Sequence, residues 1–469
     1  MDDRRETAAA INEKKAHVLV ISYAIQGHIN PLLQFSKRLA SKGVKVTFII
    51  PSTRTKFPPN AATSSIHIAY ISDGYEEGEN LLSLDELLTR FRLVVQSTLA
   101  KFIRNQLESP ELQPPPTVLV YDSVMFWALD VALEQGLQGV PFFTQTCMVN
   151  AVYYLVHHAQ IQIPATGPLD LIPELPALET SELPTLATED GGAYPLLVSM
   201  STNQFLKLEK AKWILINTFS ELEAHVLKWM MSKMQSPILP VGPTIPSIYL
   251  DQRLENDKEY GLQLFVPEMD ACMKWLDSRE VDSVIYVSFG SLASLGEEQM
   301  EEIAWGLKSS NIPFLWVVRE SEKKKLPAKF LDEIAQSDIG LVVGWCSQLE
   351  VLVHKAVGCF MTHCGWNSTL EALCLGVPLI AIAQWTDQTT NAKFIEDVWK
   401  VGIRVPVDGK KRMPNRNDIM TSIRELMEGE RGKDIRKNSA RWREMAKQAV
   451  SEGGSSDRNI DHFVAQLVR

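Results

Sequence analysis

His28 and Asp122 are the residues of this 469-residue chain best suited by type and position to move a proton. His28 lies in Gln26-Gly27-His28-Ile29-Asn30-Pro31, just after the apolar run 17–22 (HVLVIS). Asp122 follows the apolar run 117–121. If both runs are strands of one parallel sheet, both side chains stand at its carboxyl edge, where open α/β sheets bind ligands. An imidazole oriented by a carboxylate is a general base for a hydroxyl that would not ionise near neutral pH. The carboxylate fixes the tautomer and stabilises the imidazolium. Taken singly, His28 also reads as a turn histidine capping its helix, and Asp122 as a loop cap.

A second constellation spans 345–388. Residues 357–362 (VGCFMT) read as a buried parallel strand and His363-Cys364-Gly365 as the turn after it. A helix follows from Asn367 or Ser368 to Leu375, with Gly376 as an αL cap. The free amides and positive dipole end of that helix make an anion site fit for a diphosphate. His363, Asn367 and Ser368 add side-chain donors there. A further apolar run, 377–383, carries Trp385, Thr386, Asp387 and Gln388 to its carboxyl end. Two structural alternatives compete: Ser368 and Glu371 fit a capping box, and Asp387 fits an N-cap for a helix starting at Thr389.

The elements that must position these groups alternate strand and helix. Strands are expected at 17–22, 44–50, 66–71, 117–121, 213–217 and 237–241, then at 283–288, 314–318, 340–344, 357–362, 377–383 and 402–405. Between the first two, Asn30 as N-cap, Pro31 at N1 and Gly43 as terminator punctuate a helix. Residues 163–195 read as a long irregular excursion that shapes the entrance to the site. Helical segments run over 415–449, with a last amphipathic helix after Gly453-Gly454. The expected fold class is α/β, with two Rossmann-like doubly wound domains facing across a cleft. The expected division is a disordered tail at 1–15, an N-terminal domain at 16–242, a linker at 243–268 and a C-terminal domain at 269–454, the facing sheets leaving one domain to hold each of two reactants. The helix at 455–469 is expected to pack back on the first domain.

Composition narrows the class. Hydrophobic content of 45% and charged content of 22% are those of a soluble globular protein. A net charge of −10 argues against nucleic-acid binding. No apolar run reaches the ~20 residues needed to span a bilayer. The first 15 residues lack a signal peptide's apolar core, so a cytoplasmic protein is expected. Six scattered cysteines read as reduced thiols. Cys359, His363, Cys364 and Cys374 lack paired-cysteine metal spacing, so no metal is expected.

The whole stretch 345–388, WCSQLEVLVHKAVGCFMTHCGWNSTLEALCLGVPLIAIAQWTDQ, resembles the signature box of plant family-one UDP-dependent glycosyltransferases. GHINPLL, Tyr121-Asp122-Ser123, Phe289-Gly290-Ser291 and the late Gly-Gly-Ser-Ser extend the resemblance over nearly the whole chain. The nearest group acts on hormones, phenolics, terpenoids and steroids. The resemblance implies the GT-B fold and an inverting transfer of glucose from UDP-glucose, a co-substrate, with no cofactor. It implies His28 as base with Asp122 as partner, Trp345 stacking on uracil, and the Cys346 main chain at the uracil edge. Gln348 and Glu371 would hold the ribose; His363, Asn367, Ser368 and Ser291 the diphosphate. Trp366, Asp387, Gln388 and Thr144 would reach the sugar, and a closing Gln goes with glucose donors. Tyr23, Gln26, Phe126, Trp127, Phe143 and Phe205 are candidate walls of an acceptor pocket for a hydrophobic aglycone. The protein is expected to act as a monomer on a UDP-sugar and a small hydrophobic acceptor.

Three rivals are weighed. A dinucleotide-dependent dehydrogenase lacks its G-x-G fingerprint here. A nucleotide-sugar epimerase would convert UDP-sugar without an acceptor. A non-catalytic UDP-sugar-binding protein should lack one member of the His28–Asp122 pair.

Overall fold

The computed structural model describes residues 16–52, 65–75, 83–109, 114–262, 267–407 and 413–467. The expected tail, 1–15, lies outside them. The N-terminal sheet comprises β1 (Ala16–Ile21), β2 (Val44–Pro51), β3 (His67–Ile71), β4 (Pro116–Asp122), β5 (Gln138–Phe143), β6 (Ile214–Ile216) and β7 (Ile238–Pro240). The C-terminal sheet comprises β8 (Val284–Ser288), β9 (Phe314–Val317), β10 (Gly340–Val343), β11 (Val357–Thr362), β12 (Leu379–Ala381) and β13 (Gly402–Arg404). Their orders are β3-β2-β1-β4-β5-β6-β7 and β10-β9-β8-β11-β12-β13. Both are parallel and reverse direction between their first and fourth strands, which is the doubly wound order that leaves a crevice at the switch point. All six residues of β1 and of β11 are buried, because helices cover both faces.

Helices fill the connections: α1 (Gln26–Ser41), α2 (Leu84–Glu108), α3 (Ala128–Glu134), α4 (Cys147–His157), α5 (Pro195–Asn203) and α6 (Ala224–Lys233) in the first half. The second half has α7 (Met269–Asp277), α8 (Glu297–Ser310), α9 (Phe330–Ser337), α10 (Gln348–Leu352), α11 (Trp366–Leu375), α12 (Gln388–Lys393), α13 (Arg416–Met427), α14 (Glu430–Val450) and α15 (Ser455–Leu467).

Two features depart from the sequence expectations and two add to them. First, α1 begins at Gln26, so Asn30 is not its cap and Pro31 sits inside it. Second, β5 carries Gly139 and Pro141, residues that argue against a strand. It persists because β6 reaches only Phe142 and Phe143, so one side of Pro141 has no ladder partner to lose. Third, the excursion 163–195 carries 3-10 turns at Thr180–Glu182, Thr185–Ala187 and Glu189–Ala193 and buries Leu183, Leu186 and Ala187. Thr185 bonds Thr386 through both main chain and hydroxyl, and Thr389 and Thr390 donate to the carbonyls of Leu183 and Glu182. The excursion is therefore stitched to the second domain. Fourth, residues 243–262 of the expected linker are docked on the N-terminal half. Asp257 is buried against Lys37 at 2.9 Å and Gln34 at 2.5 Å, both on α1.

One apolar core runs through both halves, from Leu19 and Tyr121 to Trp366 and Trp399. The indole nitrogens of those tryptophans donate to Asn217 and Leu222 of the first half. Phe463 of α15 packs on Trp213 and Phe35, returning the chain end to the N-terminal sheet. Among the described residues, no helix is long and apolar enough to cross a membrane.

Candidate active site

A cavity of about 400 Å³ opens between the carboxyl edges of the two sheets. His28 and Thr144 line it from the N-terminal side. Ser291, Trp345, Cys346, Gln348, His363, Asn367, Ser368, Glu371, Asp387 and Gln388 line it from the other. The fold thus gathers into one space residues as distant in sequence as Tyr23 and Gln388.

His28 sits in the first turn of α1, not in the turn before it. Its Nδ1 lies 2.6 Å from Asp122 Oδ2. An ionised carboxylate only accepts, so Nδ1 carries the hydrogen and Nε2 is the basic nitrogen. The Asp122 carboxylate is itself fixed: the Tyr23 amide donates to Oδ2 at 3.3 Å and the Val124 amide to Oδ1 at 3.4 Å. Asp122 therefore caps a short 3-10 turn and holds the imidazole at once. Burial lowers the basicity of His28, but the charge and hydrogen bond of Asp122, with the charge of Asp387, raise its pKa overall above the ordinary value. Thr144 Oγ1 stands 3.4 Å from Nδ1.

On the facing side, α11 starts at Trp366 with Gly365 as N-cap and ends at Gly376 in the αL region, φ 73°. Ser368 lies inside the helix and makes no capping box. Instead, Gln348 Nε2 donates to Ser368 Oγ at 3.0 Å and to Glu371 Oε2 at 2.6 Å. Asp387 occupies the N-cap position of α12 but makes no side-chain cap bond. Its carboxylate accepts from Thr386 and from Asn391, both at 2.8 Å. Burial raises its pKa against those bonds.

His363 is held by an absence of side chains. A Cβ on Gly290 would lie 2.8 Å from its ring, and one on Gly365 2.5 Å from Nε2. Burial drops its pKa to about 4, so it is neutral at physiological pH. Gln388 Oε1 accepts from the amides of Gln384 at 3.0 Å and Trp385 at 3.1 Å. That fixes the amide flip and leaves its NH₂ end for other acceptors. Glu371 is pushed up to about 7 by burial, opposed by hydrogen bonds from Gln348 and Tyr260.

Trp366 lines the cavity, but its indole has one donor and Asn217 O takes it at 2.8 Å, so the ring donates nothing to a sugar hydroxyl. Several expected acceptor-wall residues fall elsewhere. Trp127, Phe143 and Phe205 are buried core residues, and Phe143 packs on Phe205 at 5.6 Å. Phe126 lies under Arg92, whose guanidinium is 5.2 Å from its ring. None of these four lines the cavity. An apolar residue near a strand end is as readily core as wall, and the sequence carries no signal to separate them. Tyr23 and Gln26 do line it. Other apolar residues of the N-terminal half that line it are Ile25, Val124, Leu186, Leu197 and Met200. Leu197 and Met200 belong to α5, which sequence analysis did not single out; its apolar run Pro195–Val198 was the available signal.

Cys359, Cys364 and Cys374 are buried, and burial pushes their thiols up. No group of three or more His, Cys, Asp or Glu that could hold a metal occurs among the described residues.

Residues 267–441 match the model of the UDP-glucoronosyl and UDP-glucosyl transferase family. Mogroside I-E synthase of Siraitia grosvenorii is 47% identical over 96% of this chain and 98% of its own length. Flavonol 7-O-beta-glucosyltransferase of Arabidopsis thaliana is 45% identical over 97% of this chain and 99% of its own. Among solved structures, Os79 from O. sativa in complex with UDP superposes with a TM-score of 0.88 at 37% identity, over 96% of this chain and 100% of that one. With both sheets, the facing edges and the signature stretch in place, the chain belongs to the UDP-glucoronosyl and UDP-glucosyl transferase family: a GT-B enzyme that transfers sugar from a UDP-sugar to a small-molecule acceptor.

Proposed function

We propose that this enzyme transfers glucose from UDP-glucose to a hydroxyl of a hydrophobic small molecule with inversion, giving a β-glucoside. The observation that carries this reading is the 2.6 Å contact between His28 Nδ1 and Asp122 Oδ2 on a cavity shared with the first turn of α11.

In this reading His28 Nε2 takes the acceptor proton as the acceptor oxygen attacks the anomeric carbon in line with the departing UDP. Asp122 stabilises the imidazolium. The developing diphosphate charge meets the α11 N-terminus with His363, Asn367, Ser368 and Ser291. Trp345 stacks on uracil, the Cys346 main chain meets its edge, and Gln348 and Glu371 hold the ribose. Asp387 and Gln388 hold the sugar hydroxyls, with Thr144 opposite. UDP-glucose is a co-substrate, and no further cofactor takes part. Both halves of the site come from one chain, so a monomer suffices.

The apolar walls Ile25, Val124, Leu186, Leu197 and Met200 favour a hydrophobic aglycone of the steroid, triterpenoid, flavonoid or phenolic kind. Two similar proteins point the same way. One is named a flavonol 7-O-beta-glucosyltransferase, and Os79 has been crystallised with U2F and trichothecene. A carboxylic acid acceptor is already ionised and would not need His28.

The test is incubation with UDP-glucose and a panel of steroids, triterpenoids, flavonoids, phenols and carboxylic acids, read by mass spectrometry. Gain of one hexose on a hydrophobic hydroxyl supports the reading. Transfer only from another UDP-sugar overturns the glucose assignment, and transfer only to carboxylates overturns the hydroxyl assignment.

A further inference from the structure

The nucleotide side of the cavity is not built from the C-terminal domain alone. Tyr260 comes from the segment between the two sheets, and its hydroxyl donates to Glu371 Oε1 at 2.7 Å. Gln348 Nε2 donates to the other oxygen, Oε2, at 2.6 Å. An ionised carboxylate has about four acceptor sites, two on each oxygen. The two protein donors take one on each, leaving one on each oxygen. Two adjacent acceptor sites of that kind match the two hydroxyls of a ribose cis-diol.

Tyr260 is in turn anchored to the helix that carries the base. Three residues earlier, Asp257 accepts from Gln34 and Lys37 of α1 and from the Ser247 amide at 2.6 Å. Lys37 also donates to the Glu259 carbonyl at 2.8 Å. At the other end of α1, Asn367 of α11 donates to Gly27 O at 2.7 Å. Helix α1 is thus tied to α11 directly at its N-terminus, and through Asp257, Glu259 and Tyr260 further along.

We propose that Tyr260 is a positioning residue for the nucleotide sugar: its hydroxyl sets the Glu371 carboxylate for the ribose diol and couples it to the helix bearing His28. This rests on the assignment of Glu371 to the ribose. The Tyr260–Glu371 bond also favours the ionised carboxylate in a site whose burial works against the charge. Tyr249 and Tyr286 stand near the same carboxylate, as does the Cys374 thiol, and none of the three replaces the Tyr260 bond.

The test is a double-mutant cycle on UDP affinity by calorimetry, with Tyr260→Phe, Glu371→Gln and the pair, and kinetics for both substrates. Phenylalanine keeps the ring, and unchanged thermal melts establish folding. The Tyr260–Glu371 bond is made within the protein, so its loss acts on UDP affinity only through the position and charge of Glu371. Tyr260→Phe is expected to weaken UDP binding by up to about tenfold, the worth of one hydrogen bond to a charged group, and to raise the UDP-sugar KM, with the acceptor KM unchanged. The loss should vanish when Glu371 is already Gln. It should also move upward the pH at which UDP affinity falls off on the acid side, because Glu371 has lost a bond that favours its ionised form. A Tyr260→Phe effect that persists fully in the Glu371→Gln background, or no effect at all, overturns the proposal. If Glu371→Gln alone leaves UDP affinity unchanged, the ribose assignment falls first and the role of Tyr260 with it.

Discussion

Asn367 Nδ2 donates to the main-chain oxygen of Gly27 at 2.7 Å, joining α11 to the residue before His28. The acceptor is available because of Pro31. In an α-helix the Gly27 carbonyl would bond the amide four residues on, and proline has none. A residue that breaks one bond within α1 thus supplies a bond between domains.

That relationship predicts the effect of restoring the amide. Pro31→Ala gives Gly27 O a helical partner that competes with Asn367. The expected outcome is a helix at least as stable but a weaker link between domains, with kcat/KM down several-fold and UDP affinity nearly unchanged. Steady-state kinetics beside calorimetry check this. An unchanged kcat/KM would show that the link does not matter for turnover.

Glycine at 290 and 365 is required by the ring of His363. Gly290 has φ +76°, which is strained for any other residue, and its Cβ would press on the ring at 2.8 Å. Gly290→Ala should displace His363 and weaken UDP binding by tenfold or more, about 1.4 kcal/mol. Calorimetry on a variant with an intact melt decides it, and wild-type affinity would contradict the packing described here.

The pH dependence of transfer should follow His28. The base works when deprotonated, so kcat/KM rises with pH through its pKa, which lies above the ordinary histidine value. Asp122→Asn removes the charge that raises that pKa and leaves burial, which lowers it. The acid limb should therefore move to lower pH, while the plateau falls because the tautomer is no longer fixed. An acid limb that stays in place would separate His28 from Asp122.

His363 should instead appear in stability. Its pKa of about 4 in the fold lies below the ordinary 6.5. The unfolded chain therefore binds the proton first as pH falls. The stabilising contribution is complete above about pH 6.5 and is lost as pH falls toward 4. His363→Gln removes that dependence, so its melting temperature should decline less between pH 7 and pH 4.5. Parallel thermal melts test this, and equal declines would contradict it.

How much of this is legible in the sequence follows the chemistry of each residue. Strands such as 357–362 are plain because both faces are buried and the apolar run is unbroken. The signature stretch is legible because backbone geometry and donors coincide in one segment. His28 and Asp122 are legible through topology, since His28 comes after β1 and Asp122 ends the neighbouring strand β4 of the same sheet. The start of α1 is not, because Pro31 normally marks a first turn. The carbonyl it leaves open is satisfied by a residue 340 positions further along the chain. The acceptor wall is hidden for a related reason. Phe143 and Phe205 satisfy each other in the core, and only three-dimensional packing distinguishes them from Leu197 and Met200, which face the cavity. Tyr260 is hidden because nothing local to residues 243–262 points to a carboxylate 111 residues on.

The most direct test of the central claim is turnover of His28→Ala on an alcohol acceptor, beside its affinity for UDP. The account predicts a loss of roughly 10²–10⁴ in rate with UDP binding intact. Turnover within about twofold of the wild type would contradict it.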